Sequence, residues 1–422
     1  MSFIIIQKFG GTSLASPDLR GLAADHIIAA VKKGFSPVVV VSAMGRAGNY
    51  YATETLIDLA LKENDNPDDL TLAFLLACGE NISAALLAML LSKRGYAAVP
   101  LTGAMAGIIT SYGHLDACIK KVEKKRLYKI IKDKTIPVVA GFQGSNRLGE
   151  ITTLGRGGSD TTAVALGAAL KAQKVEIYTD VSGLMTADPH IVPEAKNISS
   201  ISYNEILQMA SEGAKVIHPR AVETAMEFNV PLVIKNIVKT NKETVIVNNN
   251  HHHVFTEPVR KRIVTGITSI SRLAQINVSA PLEISQEMFK LLAAANISID
   301  LINLFPEKSF FTIAGEKVQE ALEVLQQLKL EGNVTQNLAK VTVIGAGMRG
   351  VPGIMARIVA ALSRADVQIL QTADSHINIS CLIHESELNK ALRSLHEEFF
   401  LEAKRPRRKK KGRQGKKFEP EV

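Results

Sequence analysis

From residue 1 to about 235 the chain alternates short, two-sided apolar runs with longer amphipathic stretches, and few folds accept that rhythm. IIIQKF (4–9), VVVVSA (38–43), AAVPLTG (97–103), PVVAGF (137–142) and VEIYTD (175–180) are β-rich and apolar on both faces, as buried parallel strands are. Helical patterns occupy 18–33, 68–93, 115–132, 159–172 and 203–212 between them. The alternation predicts an α/β fold with a mostly parallel sheet sandwiched by helices. Ligands of such sheets collect at the carboxyl ends of the strands, and the glycine and polar clusters of this chain fall there.

The rhythm breaks over 239–262, where NNNHHH and Pro258 read as a linker. His251, His252 and His253 lack a second ligand cluster, so a solvated loop and no metal site are expected there. Strand–helix–strand–strand–helix then occurs twice: strands at 274–280, 297–305 and 310–315 with helices at 285–295 and 317–329, then strands at 341–347, 367–373 and 377–383 with helices at 353–364 and 386–398. That order predicts two small ferredoxin-like modules. The expected division is a catalytic domain over 1–238, a linker over 239–262, modules over 263–336 and 337–402, and a tail over 403–422.

The net charge of +9 is concentrated in that tail, where ten Lys/Arg from Lys404 onward face only Glu419 and Glu421. A solvated, disordered tail without a specific nucleic-acid partner is expected. The longest apolar stretches, PVVVV (37–41) and AALLAMLL (84–91), are too short to span a bilayer. No basic segment precedes FIII at residue 3, and Cys78, Cys118 and Cys381 have no metal or redox spacing. Both observations favour the cytoplasm.

KFGGTS (8–13) follows the first strand. Gly10 and Gly11 let backbone approach a phosphate closely, and Lys8 offers a point charge to a transferring phosphoryl group. Neither the P-loop pattern nor the protein-kinase signature occurs. In TTLGRGGSDTTA (152–163), Arg156 on a glycine-rich turn suits bidentate recognition of a carboxylate. Asp160 either faces an ammonium group or fixes Lys8, and Ser159 or Asp160 is the expected helix N-cap. In YTDVSGLMTADP (178–189), two aspartates either face a nucleotide and its Mg²⁺ or serve as turn residues. Gly79-Glu80 reads as a helix opening, where a lone acid serves the helix dipole. GAGMRG (345–350) matches a dinucleotide fingerprint, but Asp366 precedes the following strand instead of ending it, so NAD is not expected. Three such clusters at strand ends point to phosphoryl transfer onto a small carboxylate-bearing substrate.

KFGGTS, SAMG (42–45), CGENIS (78–83), TTLGRGGSDTTAVAL (152–166), EIYTDVSGLMTADP (176–189) and GAKVIHPRAVETA (213–225) resemble the aspartokinases of the amino-acid kinase family. The resemblance runs over roughly 3–401, and the two later modules are similar to the paired regulatory ACT domains of those enzymes. QTADSH (371–376) with GAGMRGVPG is particularly similar to the diaminopimelate-regulated type of Gram-positive bacteria. The resemblance implies ATP with Mg²⁺ and L-aspartate as substrates and 4-phospho-L-aspartate as product, the first step toward diaminopimelate, lysine, threonine and methionine. It implies Lys8 and Asp160 as catalytic residues, with Gly10, Gly11, Thr12 and Ser13 lining the phosphate and substrate pocket. Arg156 then clamps the α-carboxylate of aspartate, Glu80 meets its α-ammonium, and Ser42, Thr53 and Ser159 complete the pocket. Thr179, Asp180, Met185, Asp188, Pro189, His190 and Lys215 fall along the nucleotide. Diaminopimelate or lysine is the implied effector, held around Val351, Pro352, Gly353, Ile354, Gln371, Thr372, Asp374 and Ser375, with Asn303 contributing. A homodimer or higher homo-oligomer through the ACT modules, and no membrane partner, complete the expectation.

A carboxylate nucleophile is already ionised at neutral pH and requires no general base. Catalysis then reduces to positioning and electrostatic stabilisation. Two departures stand out. His190 occupies the place of the family's usual arginine in TADPR, introducing a group whose unperturbed pKa is about 6.5. SAPLEIS replaces the Asp-x-Pro-Gly turn in the first ACT-like module, so effector binding is expected in the second. The rivals are a glutamate or carbamate kinase and a catalytically silent amino-acid sensor. The paired modules oppose the first, and Lys8, Arg156 and Asp160 oppose the second.

Overall fold

The computed structural model describes residues 3–181, 183–214, 216–238, 243–248 and 263–401. Most of the expected linker and the whole basic tail lie outside the described residues. In chain order the strands are β1 (Ile4–Phe9), β2 (Ser36–Val41), β3 (Ala98–Leu101), β4 (Ile108–Thr110), β5 (Ile119–Val122) and β6 (Ile136–Ala140). β7 (Gln143–Ser145), β8 (Ile151–Thr153), β9 (Val175–Thr179), β10 (Ser200–Ser202), β11 (Leu232–Asn236) and β12 (Glu243–Val247) follow. Eight of these form one sheet in the order β10–β12–β11–β9–β1–β2–β6–β3, parallel at every pairing except β11 with β12. β5–β4–β7–β8 form a small second sheet.

The helices of this half are α1 (Pro17–Lys32), α2 (Thr53–Glu63), α3 (Asp69–Lys93), α4 (Lys125–Lys132), α5 (Gly158–Leu170), α6 (Tyr203–Ser211) and α7 (Pro219–Glu227). Alternation along the strands explains the two-sided burial. Phe9, Val39 and Val41 pack with Ala23, Ile27 and Leu87 of α1 and α3. Ile6, Val38 and Val40 pack with Leu166 of α5 and Val222 of α7 on the opposite face. Ser16 caps α1 by accepting from Leu19 N–H, and Asp68 caps α3 by accepting from Thr71 N–H.

Several expectations change. The helix expected over 115–132 begins only at Lys125, because Ile119–Val122 pairs antiparallel with β4, a partner that local periodicity does not reveal. AALLAMLL is the end of the 25-residue α3, which is long and apolar enough to cross a membrane by length and composition alone. Half of its most apolar window is buried inside the protein, against the sheet. Glu80 lies in the middle of this helix and opens no helix of its own.

The remaining elements are β13 (Gly266–Val278), α8 (Leu282–Ala294), β14 (Ile302–Phe305), β15 (Lys308–Ala314), α9 (Val318–Gln327) and β16 (Gly332–Ile344). α10 (Ile354–Arg364), β17 (Gln371–Asp374), β18 (Asn378–His384) and α11 (Leu388–His396) complete them. The expected strand–helix–strand–strand–helix units are both present, joined in one antiparallel sheet ordered β14–β15–β13–β16–β18–β17. The two 13-residue strands serve both units. Residues 266–270 of β13 pair with 340–344 of β16, while 273–278 pair with β15 as well as with the first half of β16. The expected boundary at 336/337 therefore falls inside the single strand β16. The sheet curls until its two edge strands meet, with Gln371 Nε2 donating to Asn303 Oδ1 and to the Leu301 carbonyl. Leu273, Leu301, Leu338 and Leu382 form a small core in the same region.

Candidate active site

At the end of β1, Lys8 Nζ lies 2.6 Å from Asp160 Oδ1, and the two side chains are only 11% and 12% exposed. Of the two readings of Asp160, the one in which it fixes Lys8 is realised. The N-cap of α5 is Gly157, in place of the expected Ser159 or Asp160, and it makes no side-chain cap bond. Gly157 has φ 71°, and any side chain there would meet the His218 ring. Only glycine accepts both demands. Ser159 packs instead against Gly141 beyond β6, where an added Cβ would stand 2.8 Å from its hydroxyl.

The turns after β1 and β2 are zipped together by Ser42 N–H to the Phe9 carbonyl (3.1 Å) and Gly45 N–H to the Gly11 carbonyl (3.0 Å). A Cβ on Gly11 would lie 2.8 Å from the Gly45 carbonyl, so that position requires bare backbone. Gly10 lies beside the Lys8 ammonium, Thr12 is partly buried, and Ser13 is fully buried with its hydroxyl donating to the Tyr178 carbonyl (3.4 Å).

Glu80 joins this corner from α3. Its Oε1 accepts from Ala43 N–H at 2.9 Å, and its Oε2 has no partner among the described residues. Burial pushes its pKa up to about 8, so the unliganded carboxyl is mostly protonated at neutral pH. A cation arriving beside it would restore the charge. Thr53 starts α2, and the chain just before it crosses α3 where Gly79 faces the Tyr51 carbonyl.

Arg156 is exposed at the tip of its turn and makes no hydrogen bond or ion pair among the described residues. The turn beneath it is braced by a bidentate pair, Arg220 Nη1 and Nη2 to Asp116 Oδ1 and Oδ2 at 2.7 and 3.1 Å. Arg220 also donates to the Leu154 carbonyl. Sequence reasoning assigned these two residues no role. Arg220 and His218 stood in the quoted GAKVIHPR stretch, whereas Asp116 was hidden in the misplaced helix.

At the end of β9, Thr179 Oγ1 donates to Asp180 Oδ1 (3.2 Å) and Arg46 Nη2 meets Asp180 Oδ2 at 2.6 Å. Arg46 was also missed, although it directly follows SAMG. Beyond Asp180 opens a cleft of about 700 Å³ lined by Asp180, Met185, Asp188, Pro189 and His190, which gathers five of the residues assigned to the nucleotide. Asp188 Oδ1 accepts from His190 N–H (2.9 Å), so it also performs the turn role that its residue type suggested. Lys215 lies outside the described residues, while Ala214 and Val216 line the cleft. The wall also includes Ile267, Thr268 and Ser269 of β13 and Leu392 of α11.

The GAGMRG stretch is engaged elsewhere. Ala346 N–H donates to Glu205 Oε1 (3.0 Å), which also accepts from the Thr265 hydroxyl (2.6 Å). Of the expected effector residues, Asn303 and Gln371 are brought into contact and Ile354 is buried in the core. Ser375 Oγ accepts from Ile377 and Asn378 N–H, while Val351, Pro352, Gly353, Thr372 and Asp374 are exposed.

A model of the amino acid kinase family matches residues 3–236, and an ACT-domain model matches residues 341–399. Aspartokinase 1 of Bacillus subtilis is 42% identical over 401 residues, covering 94% of this chain and 99% of that protein. The aspartokinase of Geobacillus stearothermophilus is 40% identical over 407 residues, 94% of this chain and 97% of that protein. Among solved structures, E. coli aspartokinase III in complex with aspartate and ADP superposes with a TM-score of 0.75 at 23% identity, covering 94% of this chain and 100% of that one. At that identity the superposition speaks for the fold.

Proposed function

The chain belongs to the amino acid kinase family, in its aspartokinase branch, and from that premise we propose that it transfers the γ-phosphoryl group of ATP to the side-chain carboxylate of L-aspartate. The products are 4-phospho-L-aspartate and ADP. One observation carries the reading for this chain: the largely enclosed Lys8–Asp160 pair closes the end of β1, while the cleft opens at the end of the adjacent β9. Donor and acceptor can thus meet across one parallel strand pair.

In this reading the aspartate carboxylate attacks the γ-phosphorus, the bond to the β-phosphate oxygen breaks, and ADP carries away the charge. Lys8 stabilises the phosphoryl oxygens, and Asp160 holds the ammonium in place. Gly10, Gly11 and Thr12 admit the phosphates, Arg156 takes the α-carboxylate, and Glu80 takes the α-ammonium. Ser42, Thr53 and Ser159 shape the pocket, while Ser13 steadies the Tyr178 carbonyl. Thr179, Asp180, Met185, Asp188, Pro189, His190 and Lys215 accompany the nucleotide.

Among the described residues no group of three or more His, Cys, Asp or Glu is placed to hold a metal. Mg²⁺ would arrive with the phosphates, keeping several waters and needing only one or two carboxylates. Asp180, which lines the cleft just after β9, would help hold the ion, and the ion would supply charge neutralisation. The remaining proposals are a cytoplasmic enzyme, assembly through the ACT sheet, and inhibition by diaminopimelate or lysine around 351–354 and 371–375 with Asn303.

A hydroxamate assay with ATP, Mg²⁺ and a panel of acidic amino acids tests the reaction. Acyl phosphate should form from aspartate and not from glutamate, and silence with aspartate sinks the reading. Titrating diaminopimelate and lysine into the same assay identifies the effector, and activity indifferent to both removes the regulatory proposal.

A further inference from the structure

The cleft beyond Asp180 is not built by the catalytic domain alone. Strand β13 of the regulatory sheet forms one wall and is tied directly to the loop opposite. Ile267 N–H donates to the Thr186 carbonyl at 2.8 Å, and Thr186 Oγ1 bonds His396 Nε2 of α11 at 3.0 Å. Ser269 presses its carbonyl against Gly213, where no Cβ could fit, so β13 also abuts the backbone that leads into GAKV.

Within this wall Thr268 is anomalous. It lines the cleft and is only 7% exposed, yet its hydroxyl has no hydrogen-bond partner among the described residues. Buried hydroxyls are ordinarily satisfied, and leaving one unpaired costs about 1–3 kcal/mol. Its cross-strand neighbour Thr342 is fully satisfied by Glu212 and Ser380. Asn277 of β13 and Thr312 of β15 also carry an unpaired buried polar atom, but of the three only Thr268 borders the cleft. A 120° rotation about χ1 carries the hydroxyl to another staggered position, so the group can turn toward an occupant without moving the strand.

We propose that Thr268 binds the nucleoside half of ATP, so that the regulatory strand supplies part of the nucleotide site. The inference rests on the cleft being the nucleotide site. The phosphates must reach Lys8 and therefore lie at the Asp180 end. Met209, Ile267 and Leu392 give the cleft an apolar lining that suits a purine. A hydroxyl beside that surface both donates and accepts, which is what the polar edge of the nucleoside requires.

The test is ADP calorimetry and ATP steady-state kinetics on the full chain carrying Thr268→Val, Thr268→Ser or Met185→Arg. Loss of one hydroxyl bond predicts ADP Kd and ATP KM raised about 5–10-fold in Thr268→Val, with the aspartate KM within about twofold. Thr268→Ser should restore nucleotide affinity. Unchanged ADP binding in Thr268→Val, or a serine variant as weak as the valine one, overturns the proposal. Met185→Arg fills the cleft from the other wall and separates the two levels. If it abolishes ADP binding while Thr268→Val does not, only the Thr268 assignment fails. If it leaves ADP binding intact, the cleft itself has been misassigned.

Discussion

At the end proposed for the acceptor, Lys8, Asp160 and Glu80 come from β1, α5 and α3, and their partners all belong to the catalytic domain. At the end proposed for the nucleotide, the loop after β9 faces Ile267, Thr268, Ser269 and Leu392 from the regulatory sheet. The first end is a largely enclosed corner in which Lys8 and Asp160 are already paired, while Glu80 Oε2 has no partner among the described residues. The second is an open cleft with a shared wall. A displacement of the regulatory sheet should therefore reach ATP before it reaches aspartate.

Three perturbations of the acceptor end would break or sharpen that contrast. The largest effect belongs to Lys8→Met, which should lower kcat about 10²–10³-fold by removing charge from the transferring group. A loss below about tenfold would show that Lys8 serves the fold more than the reaction. Arg156→Ala should raise the aspartate KM by about 30–100-fold, as expected for a charge-assisted bidentate contact, with the ATP KM nearly unchanged. Equal changes in both constants would dissolve the division between the two ends.

The smallest effect concerns protons. Because the folded pKa of Glu80 is raised to about 8, the folded protein retains a proton that the unfolded chain has lost above the ordinary carboxylate range. Stability therefore falls as pH rises from that range toward about 8, and Glu80→Gln should flatten this slope in chemical denaturation. If the α-ammonium of aspartate sits beside Glu80, binding at pH 7 should expel up to about one proton in the wild type and none in Glu80→Gln. Calorimetry in buffers of different ionisation enthalpy measures the difference, and equal proton release in both would exclude the contact.

The seam between the two halves shows how the shared wall is held. Glu205, Gln208 and Glu212 lie one or two turns apart along one side of α6 and its C-terminal cap. They accept from Thr265 and Ala346, from Asn378, and from Lys340 and Thr342, respectively. Burial alone would lower the Lys340 pKa, but Asp300 and Glu212 outweigh it and hold the ammonium charged. Lys340 thereby links the turn before β14 to the catalytic domain. Such polar contacts specify one docking geometry more sharply than an apolar interface would.

Much of this was legible in the sequence. The strands that carry Lys8 and lead to Asp180 were visible because two-sided apolar runs are a local signal, and glycine clusters follow their ends. The regulatory units were visible through their repeated order. The short strands Ile108–Thr110 and Ile119–Val122 were not, because they exist only through their pairing. The Asp116–Arg220 brace spans 104 residues and leaves no spacing to read.

The sequence by itself determined the layer architecture and the chemistry available at each strand end, since both follow from residue type and short-range periodicity. Tertiary structure alone decided which charges pair, and whether a carboxyl such as Glu80 is ionised. It also decided that a threonine more than 250 residues from Lys8 borders the cleft beyond Asp180. Those outcomes depend on distance and burial, which the chain acquires only when its remote segments pack together.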